Sequence, residues 1–89
     1  MLFDWDEGNR AKCLKHGLTL VEIEYALAHG ARVSADLAHS VTEQRFVAVS
    51  RTTDGRPVYV VFCQRGGRAR PISARHMHRR EALHHGFTT

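Results

Sequence analysis

Residues 45–75, RFVAVSRTTDGRPVYVVFCQRGGRARPISAR, decide the fold. Phe46, Ala48 and Ser50 alternate with Arg45, Val47 and Val49, which is the period of a strand with one buried face. Thr53-Asp54-Gly55-Arg56 then supplies a turn whose Asp-Gly pair is a strong short-range hairpin signal, and Val58 to Cys63 follows as a continuous apolar strand. Gly66-Gly67 makes the next turn, and Arg68 to Arg75 runs back as another strand. Pro71 inside that strand has no ladder donor, so it must sit at a bulge or where no N–H is needed.

Outward from this hairpin pair, the N-terminal side reads as helical. Asp6 can cap a helix through about His16, with Asp6 and Glu7 at its positive end and Gly17 suited to the stop. Thr19-Leu20-Val21-Glu22 is a capping box, and Leu20, Ile23 and Leu27 with Val21, Tyr25 and Ala28 keep helical spacing up to Gly30. Ala31 to Ala35 can form a short first strand. On the far side, Met77 to His85 is a short basic helix stopped by Gly86. Two N-terminal helices, an antiparallel sheet of three to four strands and a short C-terminal helix give an α+β domain, with the helices expected on one face of the sheet. The 89 residues form one domain, residues 1–89, with no room for a second core. A chain this short excludes multidomain enzymes and keeps any active site shallow.

Charge is distributed unevenly. Residues 1–44 carry four basic and seven acidic side chains, net −3, whereas residues 45–89 carry nine arginines against Asp54 and Glu81, net +7. Arginine grips phosphate through a planar fork of donors, so this half favours a polyanionic partner. Cys13 and Cys63 lie far apart with no CxxC spacing, which argues for a reducing compartment and against a zinc site or disulfide framework. The acidic start, Met1-Leu2-Phe3-Asp4-Trp5-Asp6-Glu7, is unlike a signal peptide, and no apolar run is long enough to cross a bilayer. The expectation is a cytoplasmic protein with no membrane partner, no cofactor and no metal. His76 with His78, and His84 with His85, lack a third ligand at metal spacing.

Several stretches resemble the BrnT family, the ribonuclease toxins of type II toxin-antitoxin pairs. They are Trp5-Asp6-Glu7 leading to Lys15-His16-Gly17; His39-Ser40 with Glu43, Arg45 and Phe46; Gly55-Arg56 before Val60-Val61-Phe62; and Arg70-Pro71-Ile72-Ser73-Ala74-Arg75 with Met77. The resemblance covers nearly the whole chain. Many members have a longer loop before the Arg-Pro-Ile-Ser-Ala-Arg run and a longer C-terminal helix; here the loop is Arg65-Gly66-Gly67-Arg68-Ala69. The resemblance implies a small RelE-like fold and cleavage of RNA, with translation inhibition as the consequence. It also implies a cognate BrnA-like antitoxin that inhibits the toxin and binds DNA, compatible with a 2:2 complex.

Metal-independent RNA cleavage needs a proton acceptor for the 2′-hydroxyl, a proton donor for the leaving 5′-oxygen and cations for the phosphorane charge. His39, Glu43 and Arg45 can supply an imidazole, a carboxylate and a guanidinium near the start of one strand. Arg65, Arg70 and Arg75 come from the following strands and can clamp phosphate; His39, Glu43, Arg45, Arg70 and Arg75 are the catalytic candidates. Arg70 and Arg75 are an odd number of positions apart, so they share a face only if Pro71 marks a bulge or Arg75 lies beyond the strand. Lys15, His16, Arg65 and Arg79 are candidates for RNA binding. Each also has a plainer reading. Glu43 and Arg45 share strand parity and suit an exposed ion pair, His39 suits a turn cap, and Lys15-His16 suits a helix C-terminus. Trp5, Phe46 and Phe62 belong with core packing, and Tyr59 is the aromatic ring better placed to meet a base. The alternative to a nuclease is a non-catalytic basic module of the same fold that binds nucleic acid or a protein.

Overall fold

The computed structural model describes residues 1–39 and 41–88; Ser40, half of the His39-Ser40 pair, and Thr89 lie outside the described residues. In chain order the elements are α1 (Glu7–Cys13), α2 (Leu20–Ala28), β1 (Arg32–Asp36), a 3₁₀ turn (Leu37–His39), β2 (Arg45–Arg51), β3 (Pro57–Arg65), β4 (Arg68–His76) and α3 (Arg79–His84). The strands form one antiparallel meander in the order β1-β2-β3-β4. The α+β class is as expected, with the sheet at four strands.

Both N-terminal helices start where their capping chemistry places them. Asn9 N–H donates to Asp6 Oδ1 at 3.0 Å while Asp6 N–H donates to Asn9 Oδ1 at 2.7 Å, and Thr19 and Glu22 exchange the same pair of bonds. α1 ends three residues short of His16. Its last turn tightens as Lys15 N–H donates to Lys12 O, and Gly17 then takes a left-handed φ of 86°.

Directly paired residues in neighbouring strands share a sheet face. Ala48, Val60 and Ala74 pair in register and pack with Cys13, Ile23, Ala26 and Leu27 of α1 and α2. Val60 is wholly buried, a position at which an aliphatic side chain stabilises the fold by about 1.5–3 kcal/mol. Ser50 Oγ donates to Ala26 O at 2.7 Å and so ties α2 to β2.

The expectation of helices on one face is corrected by α3, which packs on the other. Ala82 and Met77 cluster with Val49, and Val47, Tyr59 and Phe87 pack against them. The physical reason is the alternation itself, which leaves Val47, Val49 and Tyr59 as an apolar strip facing away from α1 and α2. Met77 N–H donates to Pro57 O at 3.0 Å and sets the return of the chain onto that strip.

β4 carries the irregularity that Pro71 calls for. Val61 pairs with Ser73 but Phe62 pairs with Pro71, so Ile72 is an extra, unpaired residue. The bulge carbonyl is not left bare: Asn9 Nδ2 donates to Pro71 O at 2.9 Å, in a buried bond that docks α1 at this point. The outer edge of β4 is covered by the N-terminus, where Ala69 N–H donates to Leu2 O and Asp4 N–H to Ala69 O, both at 2.9 Å. β1 is the sheet's open edge.

Candidate functional site

The bulge decides which arginines share a face. Counting through the register, Cys63 pairs with Arg70 and Tyr59 with Arg75. Arg45, Cys63, Arg65, Arg70 and Arg75 therefore all stand on the sheet face away from α2. At the end of the sheet beside α1, four elements enclose a cavity of about 250 Å³. Lys12 with Gly8 and Asn9 come from α1, Glu43 from the bend just before β2, Arg45 from the first residue of β2, Cys63 and Arg65 from the end of β3, and Arg70 and Ile72 from β4. Gly8 and Lys12 are one helical turn apart and share a face, which is how α1 brings its ammonium to this cavity.

Two of the cavity's arginines, Arg65 and Arg70, are held by carboxylates. Glu43 accepts from Arg65 Nε at 3.0 Å and Nη2 at 3.1 Å, a bidentate fork. The Cys63 thiol lies fully buried in the same lining. The Arg65 guanidinium first, and then the thiol, hold the Glu43 carboxyl below its usual range, so it is ionised throughout neutral pH. Burial first, and then the Glu43 charge, push the Cys63 thiol up. Burial likewise pushes Cys13 up to about 11, so neither cysteine offers a thiolate nucleophile at neutral pH. Arg70, with only 14% of its side chain exposed, donates to Asp6 Oδ2 at 2.8 Å and lies 3.6 Å from Asp4 Oδ2.

The structure thus brings together Glu43, Arg45, Arg65 and Arg70, and it leaves the other candidates apart. His39 stands on the 3₁₀ turn outside the cavity lining, its ring Nδ1 3.0 Å from Asp36 Oδ2 and its side chain 70% exposed. Asp36 pairs with Arg45 across the sheet, so His39 adjoins the rim of the site. Arg75 lies about 15 Å farther along β4. Its guanidinium forks onto Glu81 at 2.6 and 2.8 Å and lies 4.5 Å from the Tyr59 ring centroid. Lys15 and His16 are exposed just past α1, and Arg79 is exposed in the first turn of α3.

Sequence reasoning missed Lys12, Cys63 and the Asp4 and Asp6 partners of Arg70. The Gly8–Lys12 spacing signals a shared helix face, but nothing local in the sequence says that this face meets β4. Among the described residues, no group of three or more His, Cys, Asp or Glu side chains is placed to hold a metal ion. Nor is any described helix long and apolar enough to cross a membrane.

In a small basic α+β domain, a cavity of one carboxylate and several cations carries the kinds of group that a phosphodiester substrate requires. Residues 5–81 match the family described as ribonuclease toxin, BrnT, of type II toxin-antitoxin system, and the chain belongs to that family. It is thereby a ribonuclease toxin with an antitoxin partner and an RNA target. No curated protein and no solved structure matches the chain, so the RelE-like label rests on the resemblance alone.

Proposed function

We propose that the chain is a metal-independent endoribonuclease that cuts RNA by 2′-hydroxyl attack in the cavity between α1 and β2–β4. The observation that carries this reading is the joint lining of one cavity by Lys12, Glu43, Arg45, Arg65 and Arg70. In the resting site Glu43 is bound to Arg65. An arriving phosphate competes for that guanidinium, and as Arg65 turns to it, Glu43 loses the contact that depresses its pKa and becomes a better base. Glu43 then takes the 2′-hydroxyl proton while the 2′-oxygen bonds to phosphorus. Arg45, Arg65 and Arg70 stabilise the charge of the phosphorane, usually the largest single contribution. The P–O5′ bond breaks, and the leaving oxygen takes a proton from the Lys12 ammonium. The products are a 2′,3′-cyclic phosphate and a 5′-hydroxyl.

His39, oriented by Asp36 at the rim, is the second proton carrier within reach of this end of the sheet. Lys15, His16 and Arg79 serve RNA binding beyond the cavity, and Arg75 does so only for a substrate that runs along β4. The partner is a BrnA-like antitoxin that binds DNA through its other half, in a 2:2 complex that acts in the cytoplasm. It inhibits by laying acidic or apolar side chains over Arg45, Arg65 and Arg70.

Incubation of purified protein with RNA, with and without EDTA, tests the chemistry. Cleavage should persist in EDTA and leave cyclic or 3′-phosphate ends; strict magnesium dependence or 3′-hydroxyl ends rule it out. One observation favours the second reading, a binding module without catalysis: the carboxylates of Glu43, Asp4 and Asp6 already face Arg65 and Arg70. That reading predicts RNA binding with intact RNA recovered.

A further inference from the structure

At the opposite end of the sheet a second concavity, about 350 Å³, opens between the β2–β3 turn and α3. Its floor is aliphatic, made by Pro57, Met77, Ala82 and Leu83, with Leu83 51% exposed. Its rim is cationic, made by Arg51, Arg56 and Arg79, and among the described residues no acidic side chain lines it. Arg51 is held in place, Nη1 donating to Gly55 O at 2.8 Å and Nη2 to Thr88 O at 2.9 Å. Arg56 and Arg79 form no salt bridge among the described residues. This differs from the cavity beside α1, where Arg65 and Arg70 already face carboxylates.

We propose that this groove anchors the antitoxin, through an acidic segment that seats one large apolar side chain on Met77 and Leu83 and sets carboxylates against Arg56 and Arg79. The inference rests on the toxin reading above, and charge complementarity selects the occupant. RNA fits the floor poorly because bases stack on open aromatic faces, and its contact here is with Arg79 at the rim. Phe87, the one aromatic side chain in the lining, already has the guanidinium carbons of Arg51 and Arg32 at 4.8 and 5.0 Å from its centroid. A second copy fits less well because most of its carboxylates, Glu7 on α1 excepted, are engaged. Asp4, Asp6, Glu43 and Glu81 face arginines, Glu22 caps α2, and Glu24 accepts from Trp5. An acidic segment with an apolar anchor matches both floor and rim, and the arginines would steer its approach.

Pro57 at the groove and Arg65 at the cavity are the two ends of β3, about 26 Å apart. A segment in the groove alone leaves the cavity open, so anchoring and inhibition are separable. The test uses the full-length toxin and the antitoxin encoded beside it, with Leu83→Glu combined with Arg56→Glu. We expect affinity for the antitoxin to fall at least about 30-fold, the scale of a buried hot spot, with RNA cleavage by the free variant at the wild-type rate. Leu83→Ala serves if the double variant fails to fold, with an expected loss of about tenfold. Antitoxin binding should also slow amide hydrogen exchange across residues 79–88. Unchanged affinity overturns the proposal. So does lost RNA cleavage with affinity intact, which makes the groove an RNA surface. A free toxin that is dimeric until Leu83 is replaced overturns it in favour of a second copy. If the wild-type chain cuts no RNA but the groove variants still lose the antitoxin, the nuclease reading falls and the anchor stands.

Discussion

Arg70 and Arg75 stand on one strand and one sheet face, each beside carboxylates, and yet they do different things. Arg75 is tied to α3 with 42% of its side chain still exposed: its fork onto Glu81 and its place above Tyr59 join that helix to the sheet. Arg70, only 14% exposed, meets Asp4 and Asp6, which come from the N-terminal segment at the side of a cavity that the arginine itself lines. An arginine's task is set by the element its acid comes from. A carboxylate on a covering helix makes a clasp, and a carboxylate at a rim makes a cation that a phosphate can compete for.

This contrast can be broken most severely at the bulge. Deleting Ile72 would remove the unpaired residue and leave Phe62 opposite Pro71 and Cys63 opposite Arg70, so both arginines keep their face, but it would draw the Pro71 carbonyl that Asn9 holds into a regular strand. Asn9 then loses its buried acceptor and α1 its dock on β4, a cost of about 1–3 kcal/mol, so the deletion should lower the melting temperature by about 5–20 °C by circular dichroism and slow RNA cleavage as Lys12 leaves the cavity. A deletion variant that melts and cleaves RNA as the wild type does would show that the bulge does not hold α1 against β4.

Next in size is the loss of the base. Glu43→Gln keeps the shape and an acceptor oxygen but cannot take the proton, and single-turnover cleavage should slow by about 10²–10⁴-fold. Arg70→Ala should slow it by about 10²–10³-fold with the melting temperature within a few degrees of wild type. Arg75→Ala is the sharpening control. It loses a cation–π contact and a partly exposed ion pair, about 1 kcal/mol together, which lowers the melting temperature by about 4–8 °C. Its cleavage rate should fall less than about tenfold. Equal losses of rate at the two positions would mean that the RNA runs the length of β4 and that the contrast is false.

Much of this was legible, and the reasons differ by element. The two capping boxes, the Asp54-Gly55 turn and the strand alternation are local chemistry, and each element forms where that chemistry places it. Pro71 announces a bulge because a proline cannot donate to a ladder, and that settles the shared face of Arg70 and Arg75. Their separation was not legible, because parity says which face a residue takes and nothing about what covers it. The side taken by α3 is fixed by Met77 and Val49, and the docking of α1 by Asn9 reaching a carbonyl 62 residues away. Lys12 joins the cavity through that same long-range bond, so no reading of residues 6–16 alone could have put it there.

The smallest effect separates the two ends by their acids. Asp6 is held below the usual carboxyl range by the Asn9 N–H first and by Arg70 second, and Glu81 by Arg75 first. A carboxyl depressed in the folded state contributes stability above its unfolded pKa, about 4, and that stability is lost as pH falls through the lower folded value. Asp6→Asn keeps a good cap for α1 and removes the charge facing Arg70. Wild-type melting temperatures should therefore drop more steeply than those of Asp6→Asn below about pH 4, and the two curves should converge in acid. Glu81→Gln should behave the same way at the other end. The ends part company in function: with Asp6 neutral, Arg70 is freer to meet phosphate, and RNA affinity at neutral pH should rise slightly, whereas Glu81→Gln loosens α3 and gains nothing. Parallel melting curves for wild type and Asp6→Asn would show that the Asp6 charge does not stabilise the fold. An unchanged RNA affinity in Asp6→Asn would show that Asp6 does not restrain Arg70 in the resting site.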